Sequence, residues 1–316
     1  MILTVTMNPS VDISYQLDGF EIDNINRIRN VSKTAGGKGL NVSRIISQLG
    51  GPVKATGVLG GTIGDFIIQQ LNRSQIPNDF FHIEKESRNC IAILHDGLQT
   101  EILESGPTLT SEEGTAFLAK FEGLLNEVSM VTISGSLPNG LADDFYYQML
   151  EICYQRKIPV ILDSSGESLK QALLQEVKPF LIKPNKTELM QLLQTDFGSQ
   201  AISFKQVLNH ELFKGIEWVV VSLGNEGAFV KHRDDYYEVT IPKVNVVNPV
   251  GSGDAVVAGL AASLNANHSV EVVLKTAMTT GMLNAMEERT GYINRANFDE
   301  YFDLVQVQKV EEEQKC

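Results

Sequence analysis

The sequence predicts an α/β fold in which helices cover both faces of a doubly wound, mainly parallel β-sheet. Short runs rich in β-branched residues alternate with amphipathic stretches of helical length along most of the chain. This alternation is typical of βαβ units, whose strands are buried on both faces. With 316 residues, of which 43% are hydrophobic, the chain can bury a large core. We expect one α/β domain over residues 1–310 and a frayed, charged tail at 311–316.

The predicted strands and helices follow one another in chain order. The strand-like runs span residues 2–6, 53–59, 129–134, 158–162, 179–183 and 218–223. The helical patterns between them span residues 41–49, 63–73, 110–126, 141–156, 186–194 and 203–213.

Two segments, 11–34 and 78–106, depart from the alternation of strands and helices, since each has strand-like patterns and no intervening helix. Between Cys90–Leu94 and Gln99–Leu103 lies an Asp-Gly dipeptide, which is a strong hairpin signal. We expect these segments to form a small β lid that closes over a site and excludes water. An edge hairpin without function is the alternative.

Charge and composition exclude several classes of function. A net charge of −13 and a pI near 4.9 argue against binding to nucleic acid or to an anionic membrane. The sequence contains neither a secretory leader pattern nor an apolar run long enough to cross a bilayer, so we expect a cytoplasmic protein. Cys90, Cys153 and Cys316 follow no disulfide or metal-binding spacing and are expected to be free thiols.

The most informative stretch is Asn-Pro-Val-Gly-Ser-Gly-Asp at 248–254, which precedes a run of small residues. Gly251 and Gly253 allow the amides from Gly251 to Asp254 to converge at a helix start, where an anionic phosphoryl group is favoured. Asp254 is then positioned to accept a proton from a substrate hydroxyl. A glycine-rich loop capped by an ordinary Asp is the alternative.

A second glycine cluster, at 36–39, lies directly before the predicted helix at 41–49. Its glycines allow close approach of a ligand, while Lys38 supplies a positive charge and Asn41 can bond a hydroxyl. The pattern is not a P-loop, since Gly-x-x-x-x-Gly-Lys-Ser/Thr is absent. Two glycine-rich turns that each enter a helix indicate two ligand subsites, as a kinase needs for donor and acceptor.

Six motifs occur in the order that is found in ribokinase-type (PfkB-family) sugar kinases, and the chain resembles this family over essentially its whole length. They are Gly36-Gly37-Lys38-Gly39-x-Asn41, Ser-Gly-Ser-Leu-Pro at 134–138, Asp163-Ser164-Ser165-Gly166, Lys183-Pro184-Asn185-x-x-Glu188, Ser222-x-Gly224-x-x-Gly227 and Gly251-Ser252-Gly253-Asp254. The resemblance implies a ribokinase-like fold and ATP- and Mg²⁺-dependent phosphorylation of a sugar.

Within the family the chain is most similar to the tagatose-6-phosphate kinases, and the 1-phosphofructokinases are close. The similarity rests on Thr6-Met7-Asn8-Pro9-Ser10-x-Asp12, on Arg88–Leu94, and on Thr100-Glu101-Ile102-Leu103-Glu104-x-Gly106-Pro107. It implies that tagatose 6-phosphate is converted to the 1,6-bisphosphate in lactose or galactose breakdown.

The resemblance also implies roles for individual residues. Asp254 would be the general base, and Gly251, Ser252 and Gly253 the anion hole. The residues expected to bind the acceptor are Asp12, Arg27, Gly36, Gly37, Lys38, Asn41 and Arg88, the two arginines through the phosphate already on the sugar. The residues expected to bind ATP are Lys183, Asn185, Ser222, Gly224, Gly227, Gly281 and Asn284, the last two beside adenine. Glu188 is expected to hold Mg²⁺ through water.

Each of these roles has a structural alternative. Asp12 can be a turn residue, Glu188 a helix-first-turn acid, and each arginine a solvated surface residue. Ser252 stands where many family members have Ala, and Ala255 where Ser commonly follows the catalytic Asp. The first change leaves the backbone as it is, and the second removes a hydroxyl near the base.

The alternatives for the whole protein are a 1-phosphofructokinase and a sugar-phosphate sensor without turnover. The latter has no need of a base at Asp254. A dehydrogenase is disfavoured, since no Gly-x-Gly-x-x-Gly follows the first strand. Apart from ATP and a sugar phosphate, the expected partner is a second copy of the chain, paired through an exposed lid sheet.

Overall fold

The computed structural model describes residues 1–96, 98–194 and 203–311. The expectation of a frayed tail therefore lies, beyond Glu311, outside the described residues, as does Gly97 of the predicted turn.

Strands and helices are numbered in chain order. The strands are β1 (Ile2–Thr6), β2 (Ser10–Leu17), β3 (Asn30–Gly36), β4 (Val53–Gly60), β5 (Phe81–Ile83), β6 (Arg88–His95), β7 (Leu98–Leu103), β8 (Met130–Ser134), β9 (Val160–Asp163), β10 (Leu181–Ile182), β11 (Trp218–Ser222), β12 (Ala228–His232), β13 (Asp235–Thr240) and β14 (Gln306–Lys309). The α-helices are α1 (Lys38–Gln48), α2 (Gly61–Arg73), α3 (Ser111–Leu124), α4 (Phe145–Gln155), α5 (Gly166–Leu174), α6 (Lys186–Leu193), α7 (Phe204–Leu208), α8 (Ser252–Asn265), α9 (Val270–Ala285) and α10 (Phe298–Leu304).

The main sheet confirms the predicted fold class. Its strands lie in the order β14-β13-β12-β11-β10-β9-β8-β1-β4-β5. Pairing is parallel from β5 through β11, and the three remaining strands extend the sheet in antiparallel fashion. The strand order reverses direction along the chain at β1, which lies between β4 and β8. In open α/β sheets, ligands bind beyond the carboxyl ends of the strands.

A hydrophobic core lies on each face of this sheet. Neighbouring residues along one strand point to opposite faces, so Ile2 packs in one core while Leu3 packs in the other. Ile161 and Leu162 divide in the same way in β9. Burial on both faces explains why these strands read as continuous apolar runs in the sequence.

Four strands form a second sheet, in the order β3-β2-β6-β7, which we call the lid sheet. The predicted hairpin is confirmed, because Leu94 pairs with Gln99 and His95 with Leu98. One face of the lid sheet packs through Val11 and Ile13 on the core beside α2. The segment 78–106 is divided between two sheets, since β5 pairs with β4 in the main sheet.

Some predicted boundaries were wrong. The strand expected at 179–183 is reduced to two paired residues, because Pro179 and Pro184 at its ends have no N–H to donate. The helix expected at 203–213 ends at Leu208, and a separate 3₁₀ turn follows at Glu211–Phe213. The strands β12, β13 and β14 and the helices α5 and α10 were not predicted.

The helices α8 and α9 pack unusually closely. A Cβ at Gly259 would lie 2.5 Å from Thr280 Oγ1 and 2.7 Å from Ala277 Cα, so no side chain fits there. Thr280 Oγ1 donates a hydrogen bond to Ala255 O at 2.8 Å, across the interface. The first turns of α8 are therefore fixed against α9.

None of the helices in the described part of the chain combines the length and the apolar character that crossing a membrane requires.

Candidate active site

A cleft of about 1330 Å³ lies between the lid sheet and the carboxyl ends of the main-sheet strands. Asp163 ends β9, Lys183 follows β10 and Ser222 ends β11, so parallel strands bring these three side chains to one edge. Asp12 and Arg88 line the opposite wall, which belongs to the lid sheet.

The loop before α8 forms one end of the cleft. Gly251 is the N-cap of α8 with φ +81°, and a Cβ there would lie 2.4 Å from Thr290 Cγ2. Ser252 Oγ donates to Pro249 O at 2.8 Å and holds the turn. The first-turn N–H groups of a helix have no partner within the helix and favour an anion. The four residues predicted as anion hole and base, 251–254, all line the cleft.

Asp254 lies in the first turn of α8 with only 7% of its surface exposed. Its Oδ2 accepts a hydrogen bond from Asn41 Nδ2 at 2.7 Å. Burial, and then the charge of Asp163, raise the pKa of Asp254 to about 7, against the lowering effects of Asn41, Lys38 and Lys183. A carboxyl group with a pKa near the operating pH suits general-base catalysis.

Two lysines share one buried carboxylate beside this base. Lys183 Nζ lies 3.4 Å from Asp163 Oδ1, and Lys38 Nζ lies 3.7 Å from Asp163 Oδ2. The Asp163 charge is the largest cause that raises the pKa of Lys38, so this lysine stays protonated. A Cβ at Gly253 would lie 3.5 Å from Lys183 Nζ, which places that ammonium directly beside the α8 N-terminus.

The first glycine cluster shapes the other side of the cleft. A Cβ at Gly36 would lie 2.0 Å from Asp12 Oδ1, so the space of the missing side chain is filled by the Asp12 carboxylate. Ser10 Oγ donates to Asp12 Oδ1 at 2.7 Å, and burial raises the pKa of Asp12. Gly37 is the N-cap of α1 with φ +103°. The space left by the missing Gly36 side chain is thus occupied by Asp12, and the predicted role of Gly36 in binding the acceptor remains a prediction.

The two predicted phosphate-binding arginines occupy different surroundings. Arg88 lines the cleft, and its guanidinium donates to Asn8 O at 3.1 Å and to Glu104 O at 3.0 Å. Arg27 lies in the loop between β2 and β3, is exposed, and is not part of the cleft wall. The expected role of Arg27 in binding the phosphate of the acceptor therefore remains a prediction.

The donor residues lie at the cleft end that β10 and β11 form. Asn185 and Glu188 form a capping box: Asn185 Oδ1 accepts from Glu188 N at 2.8 Å, and Glu188 Oε2 accepts from Asn185 N at 2.9 Å. Both residues line the cleft, as do Ser222, Gly224 and Gly227. Gly227 has φ +94°, and a Cβ there would lie 1.9 Å from Val239 O, so this glycine is required by packing as well.

Glu188 was predicted to hold Mg²⁺. Among the described residues no cluster of three or more His, Cys, Asp or Glu side chains is arranged to hold a metal. A single carboxylate at the cleft wall does fit a Mg²⁺ ion, since that ion keeps several waters and shares phosphate oxygens.

The predicted adenine contacts on α9 separate into two cases. Gly281 lines the cleft. Asn284 is completely buried: its Nδ2 donates to Val250 O at 3.3 Å, and its Oδ1 accepts from Gly291 N at 3.1 Å. This side chain joins two loops behind the cleft, so its assignment to adenine was wrong.

Sequence reasoning did not select Asp163, Arg44 or Arg289. Asp163 directly follows the predicted strand at 158–162 and begins one of the six family motifs, and these two features could have identified it. Arg44 lies three residues after Asn41 in α1, on the same helix face, and donates to Asn41 Oδ1. Arg289 lines the cleft with its guanidinium 5.8 Å from the centre of the Tyr292 ring, and no sequence pattern indicated it.

Known proteins are similar to this chain over nearly its whole length. The model of the pfkB family of carbohydrate kinases matches residues 5–297. A Staphylococcus aureus protein with a provisional phosphofructokinase assignment is 33% identical, with 99% of this chain and 100% of that chain covered and a TM-score of 0.83. Phosphofructokinase-2 from Escherichia coli, in complex with potassium, is 26% identical over 96% of this chain and 98% of its own, with a TM-score of 0.89.

A third solved structure shares the fold at lower identity. A Thermotoga maritima protein with a provisional 1-phosphofructokinase assignment is 24% identical, covers 98% of this chain and 100% of that chain, and gives a TM-score of 0.84.

Proposed function

Since the chain belongs to the pfkB family of carbohydrate kinases, we propose that it transfers the γ-phosphoryl group of ATP to C1 of D-tagatose 6-phosphate, giving the 1,6-bisphosphate. That it is a sugar-phosphate kinase follows from the family and from its phosphofructokinase-like neighbours. The choice of tagatose 6-phosphate rests on the sequence similarity of residues 6–12, 88–94 and 100–107.

One observation carries the catalytic part of the proposal: a buried aspartate whose pKa is about 7 lies in the first turn of a helix with a lysine ammonium beside it. Asp254 removes the proton of the C1 hydroxyl, and that oxygen forms a bond to the γ-phosphorus of ATP. The bond from the γ-phosphorus to the β,γ-bridging oxygen breaks, and ADP leaves with that electron pair. The proton remains on Asp254 until product release.

The α8 N-terminus stabilises the charge of the transferring group. The free first-turn amides of α8 and the ammonium of Lys183, which lies beside Gly253, would bind the phosphoryl group as it passes between donor and acceptor. Glu188 would hold Mg²⁺ through water, and a bound Mg²⁺ neutralises charge on the ATP phosphates. Ser222 and Gly224 would lie against the nucleotide at the same sheet edge.

The lid sheet supplies the acceptor side. Asp12, held by Ser10 over Gly36, would accept hydrogen bonds from sugar hydroxyls. Arg88 would bind the phosphate already on the sugar through the guanidinium N–H groups that its two carbonyl partners leave available. Pairing of two copies through the lid sheet fits its exposed apolar residues, of which Leu98 and Ile102 are examples.

An ATP-coupled turnover assay tests the proposal. Tagatose 6-phosphate, fructose 1-phosphate, fructose 6-phosphate and ribose are offered at equal concentration, and we expect the highest kcat/KM for tagatose 6-phosphate. A preference for either fructose phosphate would assign the chain as a phosphofructokinase, the description given to its Staphylococcus aureus relative. Binding of a sugar phosphate without ADP formation would instead indicate a sensor.

A further inference from the structure

A partly buried arginine lies behind Asn41 and has no part in the reaction described above. Arg44 follows Asn41 by one turn in α1, and its guanidinium donates to Asn41 Oδ1 and to Ala35 O. Burial lowers the pKa of Arg44 to about 10, so the group is still charged at neutral pH. A buried charge is costly unless it is hydrogen-bonded, and here one of its bonds goes to an amide that contacts the base.

The hydrogen-bonding capacity of the guanidinium fixes the direction of that amide. A guanidinium has donors and no acceptor, so Asn41 must turn its Oδ1 toward Arg44. Its Nδ2 is thereby turned toward Asp254, where it donates to Oδ2 at 2.7 Å. An isolated Asn amide can bind a carboxylate through Nδ2 or a protonated carboxyl through Oδ1, but an amide held by Arg44 can do only the former.

We infer that Arg44 is a positioning residue for phosphoryl transfer: by holding Asn41 Oδ1 it keeps the Asn41 Nδ2 donor directed at the Asp254 carboxyl group in the cleft. The inference rests on the proposed function, because it takes Asp254 to be the base.

Other charged groups affect the pKa values of Asp254 and Arg44, but they do not fix the orientation of the Asn41 amide. Around Asp254, Asp163 at the end of β9 opposes ionisation, while Lys38 of α1 and Lys183 after β10 favour it. Around Arg44, Asp12 of β2 favours the charged form, and Arg289, which follows α9, disfavours it. Each of these groups remains in place when Arg44 alone is changed.

The chain also contains a matched control. The loop at Gly291 covers Arg44: a Cβ at Gly291 would lie 2.8 Å from the guanidinium and 3.0 Å from Asn41 Oδ1. Gln48, one turn further along α1, bonds the same loop through Gly291 O at 3.1 Å and Ile293 N at 2.9 Å. Gln48 Nε2 also donates to Arg44 O at 3.1 Å. Removing the Gln48 side chain therefore disturbs the packing of α1 on this loop but keeps the Arg44 guanidinium and its charge.

The test is an NMR titration of the ligand-free protein. The side-chain amide signals of Asn41, identified by their loss in Asn41→Ala, are followed against pH in the wild type and in Arg44→Met, Arg44→Lys and Gln48→Met. We expect the midpoint reported for Asp254 to rise by about one pH unit in Arg44→Met, because the carboxylate loses an oriented donor and a nearby cation. Arg44→Lys, which keeps the charge, should shift less, and Gln48→Met should match the wild type.

The same variants are then assayed for turnover. The acidic limb of kcat/KM in Arg44→Met should move to higher pH by the same amount, with a loss of about tenfold in rate at pH 6.5. An unchanged midpoint in Arg44→Met, or an equal shift in Gln48→Met, would overturn the inference. If Arg44→Met does not fold by circular dichroism, Arg44→Gln decides, because its amide is uncharged and has an acceptor as well as a donor. An unshifted midpoint in that variant has the same meaning.

The experiments distinguish a failure of the role inferred for Arg44 from a failure of the proposed kinase function. A shifted midpoint in a protein that phosphorylates no sugar would leave the Arg44–Asn41–Asp254 arrangement supported and remove the function proposed for it. Normal kinase activity with an unshifted midpoint would remove the role of Arg44 alone.

Discussion

Lys183 and Asp163 form an ion pair in the floor of the cleft, with Nζ 3.4 Å from Oδ1 and with 6% and 3% of the two side chains exposed. A buried pair of this kind is a weak source of net stability, yet removal of one partner is costly because the other charge remains buried. Asp163 is also within 4 Å of Lys38 and raises the pKa of Asp254. One carboxylate therefore pairs with both lysines and raises the pKa of the proposed base.

Asp163→Asn should lower the free energy of unfolding by about 3 kcal/mol, because Lys183 loses its buried counter-charge. The pKa of Asp254 should fall at the same time, so the acidic limb of kcat/KM should move to lower pH. Urea unfolding and a pH-rate profile measure the two effects. Asp79→Asn is the control, since Asp79 pairs with Lys54 and Lys120 at the surface and should cost no more than about 1 kcal/mol.

Asp254→Asn should reduce kcat by about 10² to 10⁴ while ATP binding is retained. In the wild type, kcat/KM should rise with pH through a midpoint near 7, since only the carboxylate accepts a proton. Near-normal turnover of the variant would show that Asp254 is not the base.

The same substitution should stabilise the protein at high pH. Folding raises the pKa of Asp254 from 3.8 to about 7, so its contribution to stability is complete below pH 3.8 and is lost as the pH rises through 7. At pH 8, Asp254→Asn should therefore increase the free energy of unfolding by about 1–4 kcal/mol. The difference from wild type should vanish near pH 4, and a difference that is equal at both pH values would point to packing instead.

Gly36→Ala should impair binding of the acceptor, because the new methyl group would occupy the position of the Asp12 carboxylate. We expect KM for the sugar phosphate to rise by about tenfold or more, the loss expected for a displaced charged hydrogen-bond partner. Gly19→Ala is the matched control, since nothing lies within 4 Å of its Cβ position. Equal kinetics for the two variants would mean that Asp12 does not contact the sugar.

Arg88→Ala should raise KM for the sugar phosphate by about 10- to 150-fold and leave KM for ATP little changed, because a charge-assisted contact to phosphate is lost. Arg156→Ala serves as the control, as Arg156 pairs with Glu122 on the surface. If both KM values of Arg88→Ala rise equally, the bonds of Arg88 to Asn8 O and Glu104 O hold the lid and the phosphate binds elsewhere.

The sequence was sufficient for the fold class and for the glycine-rich loops and strand-end residues of the cleft wall, because these depend on local patterns. Buried parallel strands need apolar runs, and the loop at 251–254 needs glycines at fixed spacing. The positions of Asp163 and Arg44 were not accessible in this way. Their roles arise from contacts between α1, β9 and α8, elements far apart in the chain, and no local pattern records them.

Two predicted site residues, Asn284 and Arg27, do not line the cleft, and the reason is the same. Asn284 belongs to a small-residue helix that does line the cleft, yet the amide points to the opposite side and joins Val250 to Gly291. Arg27 lies in a segment that does contribute to the lid sheet, but in the part of it that leaves the sheet. In each case the sequence predicted the helix or segment correctly, but the position of the side chain depends on contacts that only the three-dimensional structure shows.

The absence of a side chain at Gly259, which lets α8 lie against α9, has a consequence for catalysis. A helix held at this distance would clash with Thr280 if it slid or rotated, so we expect the aspartate in its first turn to keep its position during phosphoryl transfer. The position of Asp254 is then fixed when the protein folds, and we expect each acceptor to bind in reach of that fixed position. We therefore expect motion, and the entropic cost of ordering, to be confined to the half of the cleft that the lid sheet forms.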